Sequence, residues 1–371
     1  MKKMTWAVLI AIGAVSVVTA VQDRPVRPER PARPERPAPP APLAPLAPLV
    51  PLASDFGRMR WTFSTGDGWT RLHVEARGRI ELTDDERDVK SVSTNGYFEI
   101  SSRGWLSLFG QRYVIRGNTD GTTTRRFTVG AAEKPIDAET RAWIADTIQR
   151  FVRGGFDAEG RVARILSKQG PTGVLDAISL FSGDFTRAKY FMLLFTQARL
   201  DRPTAERALR QAGKEIGSAF ELARVLIAFA EAVPLDDATA PAFVEATNSI
   251  GSDFERARVL LAVIARQQTS VAVTAVLSSS PRIGSAFEQA RVLGQLAQKK
   301  DLTNDAVLGL VRATDSIGSD FEKSRVLLQV IAKQPIEGAT RQALLDTAGH
   351  IGSEHERGRV LSAMLQGGTL R

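Results

Sequence analysis

From about residue 181 onward, apolar positions recur at helical spacing inside a unit that itself recurs. The chain reads IGSAFELARVL from Ile216, IGSDFERARVL from Ile250, IGSAFEQARVL from Ile283, IGSDFEKSRVL from Ile317 and IGSEHERGRVL from Ile351. These isoleucines lie 34, 33, 34 and 34 residues apart, and a degenerate copy, FSGDFTRAKYF, starts 35 residues before the first, at Phe181. A constant period of this size predicts stacked supersecondary units, none of which can bury its apolar face alone.

Each unit carries its own stop and start signals. The glycine, as in Gly251, suits a left-handed residue closing one helix. The serine after it suits the N-cap of the next helix, with a glutamate three residues on completing a capping box. These pairs are Ser218/Glu221, Ser252/Glu255, Ser285/Glu288, Ser319/Glu322 and Ser353/Glu356. The second helix is expected over 252–266, with Phe254, Ala257, Leu261 and Ile264 as its buried stripe. First helices are expected over 236–248, 270–279, 303–316 and 338–349, with Pro234, Pro281 and Pro335 in or beside the links. The unit is therefore a tight αα-hairpin, and the array resembles tetratricopeptide or HEAT solenoids in architecture. The Trp-x-x-Leu-Gly signature of tetratricopeptide repeats is missing.

One basic position runs through the repeats: Lys189, Arg224, Arg258, Arg291, Arg325 and Arg359. Its functional reading is a cationic groove for acidic partners. The favoured reading is a fastener, buried beside the apolar stripe and bonded to the glutamate three residues earlier or to carbonyls of a neighbouring helix. In the last copy His355 and Gly358 replace the usual phenylalanine and small residue, which suits a terminal cap.

Ahead of the repeats the period changes to two. Alternating runs at 59–63, 72–76, 79–82, 89–92, 97–101, 112–116 and 126–129 are separated by turn clusters such as Thr94-Asn95-Gly96 and Asn118-Thr119-Asp120-Gly121. This predicts a small, mostly antiparallel β-domain over 53–135, with Trp61, Trp69, Phe98 and Trp105 packing at its core or edges; a carbohydrate-stacking platform is their functional alternative. The fold class is thus α+β, mainly α: a small β-domain, then an α-solenoid of about six αα-hairpin repeats over 136–371. Residues 21–52 form a proline-rich linker, built from Arg-Pro and Ala-Pro-Leu units and read as a polyproline II-like spacer. Residues 1–20 read as a signal peptide: Lys2 and Lys3, an apolar run over 6–18, and Val18-Thr19-Ala20 as a cleavage site, with the mature chain beginning near Val21. An uncleaved anchor is the alternative. With no cysteine in the chain, disulfides, thiolate metal sites and a lipid-modified cysteine are excluded.

The stretch GRIELTDDERDVKSVSTNGYFEI from Gly78, the segment IDAETRAWIADTIQRFVR from Ile136 and the IGSDFE repeats together resemble a known bacterial arrangement. It is the extracytoplasmic C-terminal region of some Bla/Mec-type antirepressor metallopeptidases and of free-standing exported relatives. The resemblance implies an accessory or sensory ectodomain without the peptidase. That family's His-Glu-x-x-His zinc site has no counterpart among His73, His350 and His355, the only histidines.

The remaining chemistry is sparse. His350 and His355 are five apart without a third ligand, and Asp84, Asp85, Glu86 and Asp88 lack the spacing of a calcium loop, which favours a solvated turn. No GxSxG, SxxK or full dinucleotide fingerprint occurs. No cofactor is expected. Of the formal charge of +8, +4 lies in residues 1–52, leaving +4 over the other 319. With aromatics not interleaved with basic clusters, this argues against nucleic acid. The expected function is a non-catalytic exported scaffold in the periplasm or cell envelope, binding a protein or peptide through the solenoid. The alternative is a regulatory ectodomain that binds a small ligand and modulates an envelope signalling protein. Membrane contact is expected only through an uncleaved signal or the basic linker.

Overall fold

A computed structural model describes residues 55–64, 70–83, 85–104 and 110–369. The expected signal segment and proline-rich linker, Trp69, Trp105, Asp84 and the side chain of Trp61 lie outside the described residues.

Seven strands form an antiparallel sheet: β1 (Asp55–Ser64), β2 (Thr70–Leu82), β3 (Val89–Val92), β4 (Tyr97–Gly104), β5 (Gln111–Gly117), β6 (Thr123–Val129) and β7 (Ala132–Lys134). Their order is β1-β2-β4-β5-β6-β7, with β3 paired to the far end of β2. The runs at 72–76 and 79–82, expected as two strands, are one strand bent at Gly78, whose φ is +78°. Glycine adopts this conformation without the Cβ clash that other residues suffer. Beyond the bend β2 leaves β4 and pairs with β3, placing Ile80 opposite Val92.

Alternation puts Leu72, Val74, Ala76, Phe98, Ile100, Tyr113, Ile115 and Phe127 on one face of the sheet, all buried. Helix α1 (Ala138–Arg153), capped by the Asp137 carboxylate on the Thr140 N–H at 2.9 Å, lays Ile144, Ile148, Phe151 and Val152 against that face. A boundary at 135/136 therefore cuts through a packed core, and the repeats begin only after Phe156.

Among the described residues, twelve further α-helices make six hairpins. They are α2 (Ala158–Ser179) with α3 (Asp184–Gln197), α4 (Arg202–Glu215) with α5 (Ala219–Ala232), and α6 (Thr239–Asn248) with α7 (Asp253–Arg266). The other three are α8 (Ser270–Ser279) with α9 (Ala286–Ala297), α10 (Asn304–Asp315) with α11 (Asp320–Lys333), and α12 (Gly338–Gly349) with α13 (Glu354–Thr369). First helices stack on first helices and second on second, giving two layers with one continuous apolar core between them. This is the α+β architecture that the two periodicities imply. Helix α2 breaks at Gly170 (φ +69°), just before Pro171, which has no N–H to continue the ladder.

The turns between helices differ from expectation in two ways. The repeat glycines, Gly217, Gly251, Gly284, Gly318 and Gly352, do not occupy the left-handed region. In addition, only half of each capping box forms. Every serine hydroxyl accepts from the N–H of its glutamate at 3.4 Å. The glutamate side chain, however, turns to the arginine three residues on. The serine N–H instead donates to an aspartate one repeat earlier: Ser218 to Asp184 at 2.7 Å, Ser285 to Asp253 and Ser353 to Asp320, both at 2.8 Å. The glycine makes room for that carboxylate. A Cβ on Gly284 or Gly352 would sit 3.2 Å from it, whereas Gly251 and Gly318, which follow repeats carrying Ala219 and Ala286, have nothing within 4 Å. Ser252→Ala is expected to cost about 0.5–1 kcal/mol as a lost N-cap. Gly251→Ala should change stability by less than about 0.5 kcal/mol, while Gly284→Ala weakens the Asp253 contact and lowers the melt. Thermal melts of the three variants check this, and equal effects of the two glycine changes would refute the space argument.

Candidate functional site

The phenylalanine of the first five repeats, placed by sequence in the buried stripe, is exposed. Phe185, Phe220, Phe254, Phe287 and Phe321 are 44–55% accessible, whereas Ala257, Leu261 and Ile264 of the same stripe are buried. The cause is position. Each ring sits on the second residue of its helix, and helical Cα–Cβ bonds tilt toward the N-terminus. The ring therefore projects past the helix start, where the layers offer nothing to pack on.

The repeat arginines lie beside these rings. Each pairs with the glutamate three residues before it: Arg224–Glu221 at 2.9 Å, Arg258–Glu255 at 2.5 Å, Arg291–Glu288 at 3.0 Å, Arg325–Glu322 at 2.6 Å and Arg359–Glu356 at 2.8 Å. Three guanidinium groups also stack on the phenylalanine of the preceding repeat. Arg258 lies 5.9 Å from the Phe220 ring, Arg291 5.7 Å from Phe254 and Arg325 5.9 Å from Phe287, while Arg224 covers its own Phe220 at 5.8 Å. Exposure of these side chains runs from 18% at Arg258 to 44% at Arg359, so the first four are half-buried rather than buried and Arg359 is exposed. Burial pushes the Glu288 and Glu322 carboxyls above their ordinary value, against the pull of Arg291 and Arg325. Lys189 differs: it is mostly buried, its ammonium is pushed down by burial, and it donates to the Gly155 carbonyl at 3.2 Å.

The outcome is a ladder in which rings and guanidinium groups alternate along the second-helix layer. In sequence aromatic and basic residues are not interleaved; in space they are. Because every rung carries its own glutamate, the ladder is not a run of net positive charge.

Helix ends are fastened by other residues. Arg256, two positions before Arg258 and 8% exposed, donates to the Arg282 carbonyl at 2.5 Å, to Thr247 and Asn248 carbonyls at 3.4 Å and to Ile250, and pairs with Asp253 at 3.0 Å. It thus joins the ends of two successive first helices. Arg187 does the same for the Glu215 carbonyl at 2.7 Å. A second set closes the far ends of the second helices. Gln267 donates to Ala230 and Val233 carbonyls, Lys299 to Ile264 and Gln267, and Gln334 to Ala297 and Lys299. A visible signal marks the first set: Asp184, Ala219, Asp253, Ala286 and Asp320 alternate, and Arg187, Leu222, Arg256, Gln289 and Lys323 alternate with them. The fastening pattern thus spans two repeats.

The acidic run before β3 also has structural work. Asp85 accepts from the Thr83 hydroxyl at 2.6 Å, which holds its carboxyl below the ordinary value. Asp88 pairs with Arg125 at 2.7 Å, and Glu86 reaches Arg161 of α2 at 2.6 Å, tying the sheet to the helices. His350 bonds to Asp315 at 3.0 Å, and His355, in the place of the sixth phenylalanine, is exposed. Among the described residues no group of three or more His, Asp or Glu converges on a metal-binding geometry.

No protein-family model, curated protein or solved structure matches this chain.

Proposed function

We propose that the protein is a non-catalytic exported scaffold whose Phe/Arg ladder receives an extended polypeptide segment. The supporting observation is that five phenylalanines at one repeat position are exposed in register, three of them beside guanidinium groups. Exposed aromatic and arginine side chains in a contiguous row are the residue types that dominate binding energy at protein interfaces. The spacing narrows the ligand. Packed helices lie about 8–10 Å apart, and three residues of polyproline II advance about 9.3 Å along one edge. A β-strand presents the same face every two residues, about 6.6 Å, and does not match. A segment with an apolar residue at every third position would therefore set one side chain on each rung. Its unpaired backbone carbonyls would face guanidinium N–H groups left over from the glutamate pairs.

The test is fluorescence anisotropy with a labelled (Ala-Pro-Leu)4 peptide, whose period is the one that residues 41–52 carry in sequence. The triple variant Phe220→Ser/Phe254→Ser/Phe287→Ser is expected to lose more than about tenfold in affinity, with its stability lowered by no more than the loss of four exposed cation–π contacts, about 0.5–1 kcal/mol each. Undiminished binding by the triple variant, or equal binding of a peptide with the same composition in scrambled order, would refute the ladder as the contact surface.

The alternative, a sensory ectodomain of the kind implied by the resemblance to antirepressor regions, draws support from a separate surface on the sheet.

A further inference from the structure

The sheet face opposite α1 bears a cleft of about 950 Å³, within the size range of ligand sites. Cross-strand register sets Arg77 of β2 opposite Tyr97 of β4, and Tyr97 opposite Arg116 of β5. Two arginines thus flank one tyrosine at strand spacings of about 4.8 Å each. The Arg116 guanidinium lies 5.7 Å from the Tyr97 ring, and Arg77 donates to the Asn95 carbonyl at 3.1 Å. Among the described residues neither arginine has an ion pair.

The neighbouring rung supplies acceptors. Glu75 and Glu99 lie directly opposite each other on β2 and β4, with Arg60 of β1 opposite Glu75 in the register. Glu99 accepts from Arg112 at 2.6 Å and from the Tyr97 hydroxyl. Burial pushes the Glu99 carboxyl up, but these two hydrogen bonds outweigh it and leave the group below its ordinary value; burial raises Tyr97. At neutral pH the floor therefore holds a carboxylate acceptor and a neutral phenol.

We infer that this cleft binds an anionic saccharide, with the Arg77 and Arg116 guanidinium groups holding its acid group and Tyr97, Glu75 and Glu99 contacting the sugar. Two guanidinium forks that have no ion pair among the described residues suit a carboxylate or phosphate. The carboxylates suit hydroxyl donors, and they would repel a uniformly anionic surface such as a lipid bilayer. This site is independent of the Phe/Arg ladder.

Isothermal titration of the full chain with trigalacturonate tests the inference, with neutral maltotriose and phosphatidylglycerol vesicles as comparison arms. Trigalacturonate is expected to bind, maltotriose at least tenfold more weakly, and vesicles not at all. Arg77→Gln/Arg116→Gln should abolish binding, and Arg116→Lys should weaken it severalfold, since lysine keeps the charge but not the fork. Arg71→Gln/Arg103→Gln, which removes an equal charge from the opposite cross-strand pair of the same sheet, should change affinity less than twofold. All four positions are exposed, and unchanged melts verify folding. Absence of trigalacturonate binding, equal loss in the two double variants, or vesicle binding that depends on Arg77 and Arg116 would overturn the inference.

Discussion

Arg256→Ala is expected to lower the unfolding free energy by about 3 kcal/mol, whereas Arg258→Ala, two residues away on the same helix, should cost about 1 kcal/mol or less. The two side chains have the same chemistry and opposite circumstances. Arg256 is nearly inaccessible, and its removal takes the donor from the carbonyls of Ile250 and Arg282 and leaves Thr247 only the Ile250 N–H at 3.2 Å. Arg258 keeps solvent contact, and its losses are one salt bridge within its own helix and one ring contact. Urea denaturation of both variants, monitored by circular dichroism, decides the matter. Because repeats interact chiefly with neighbours, the Arg256→Ala transition should also broaden as the array loses coupling between its halves. Equal destabilisation by the two changes would mean that the fastener has been misassigned.

The second large effect is expected at Gln267. Its amide donates to the carbonyls of Ala230 and Val233, 2.8 and 3.1 Å away, and its oxygen accepts from the Leu235 N–H at 2.9 Å. Leucine has nearly the same shape and none of these groups. Gln267→Leu should therefore cost about 2–3 kcal/mol through unpaired buried backbone groups rather than through lost volume. Amide hydrogen exchange supplies a residue-level check: protection at Leu235 should fall far more than protection at Leu260 in the helix interior. A variant as stable as the parent, with Leu235 still protected, would show that the carbonyls find other partners. Gln334, which caps the Ala297 and Lys299 carbonyls, should respond in the same way at the next pair of repeats.

Period and punctuation along the chain were sufficient for the architecture. The 33–35-residue step, the serine caps and the switch from two-residue to helical alternation each depend on neighbours in sequence, so they mark helices such as 270–279 and 338–349 and strands such as 89–92 directly. Arg224, Arg258, Arg291, Arg325 and Arg359 could likewise be paired with their glutamates by spacing alone. The exposure of Phe254 could not be read in this way. Helical periodicity puts it on the buried face, but periodicity carries no information about where a helix starts relative to the layer it packs on. Choosing between Arg256 and Arg258 as the fastener has the same difficulty, since a hundred-degree rotation per residue selects a direction and only the neighbouring helix ends decide what lies there. The sheet cleft belongs wholly to tertiary structure. Arg77, Tyr97 and Arg116 are 20 and 19 residues apart in sequence, and hydrogen-bond register alone makes them one row. Local patterns thus determined the elements and their order, and long-range register and layer stacking determined which side chains face outward together.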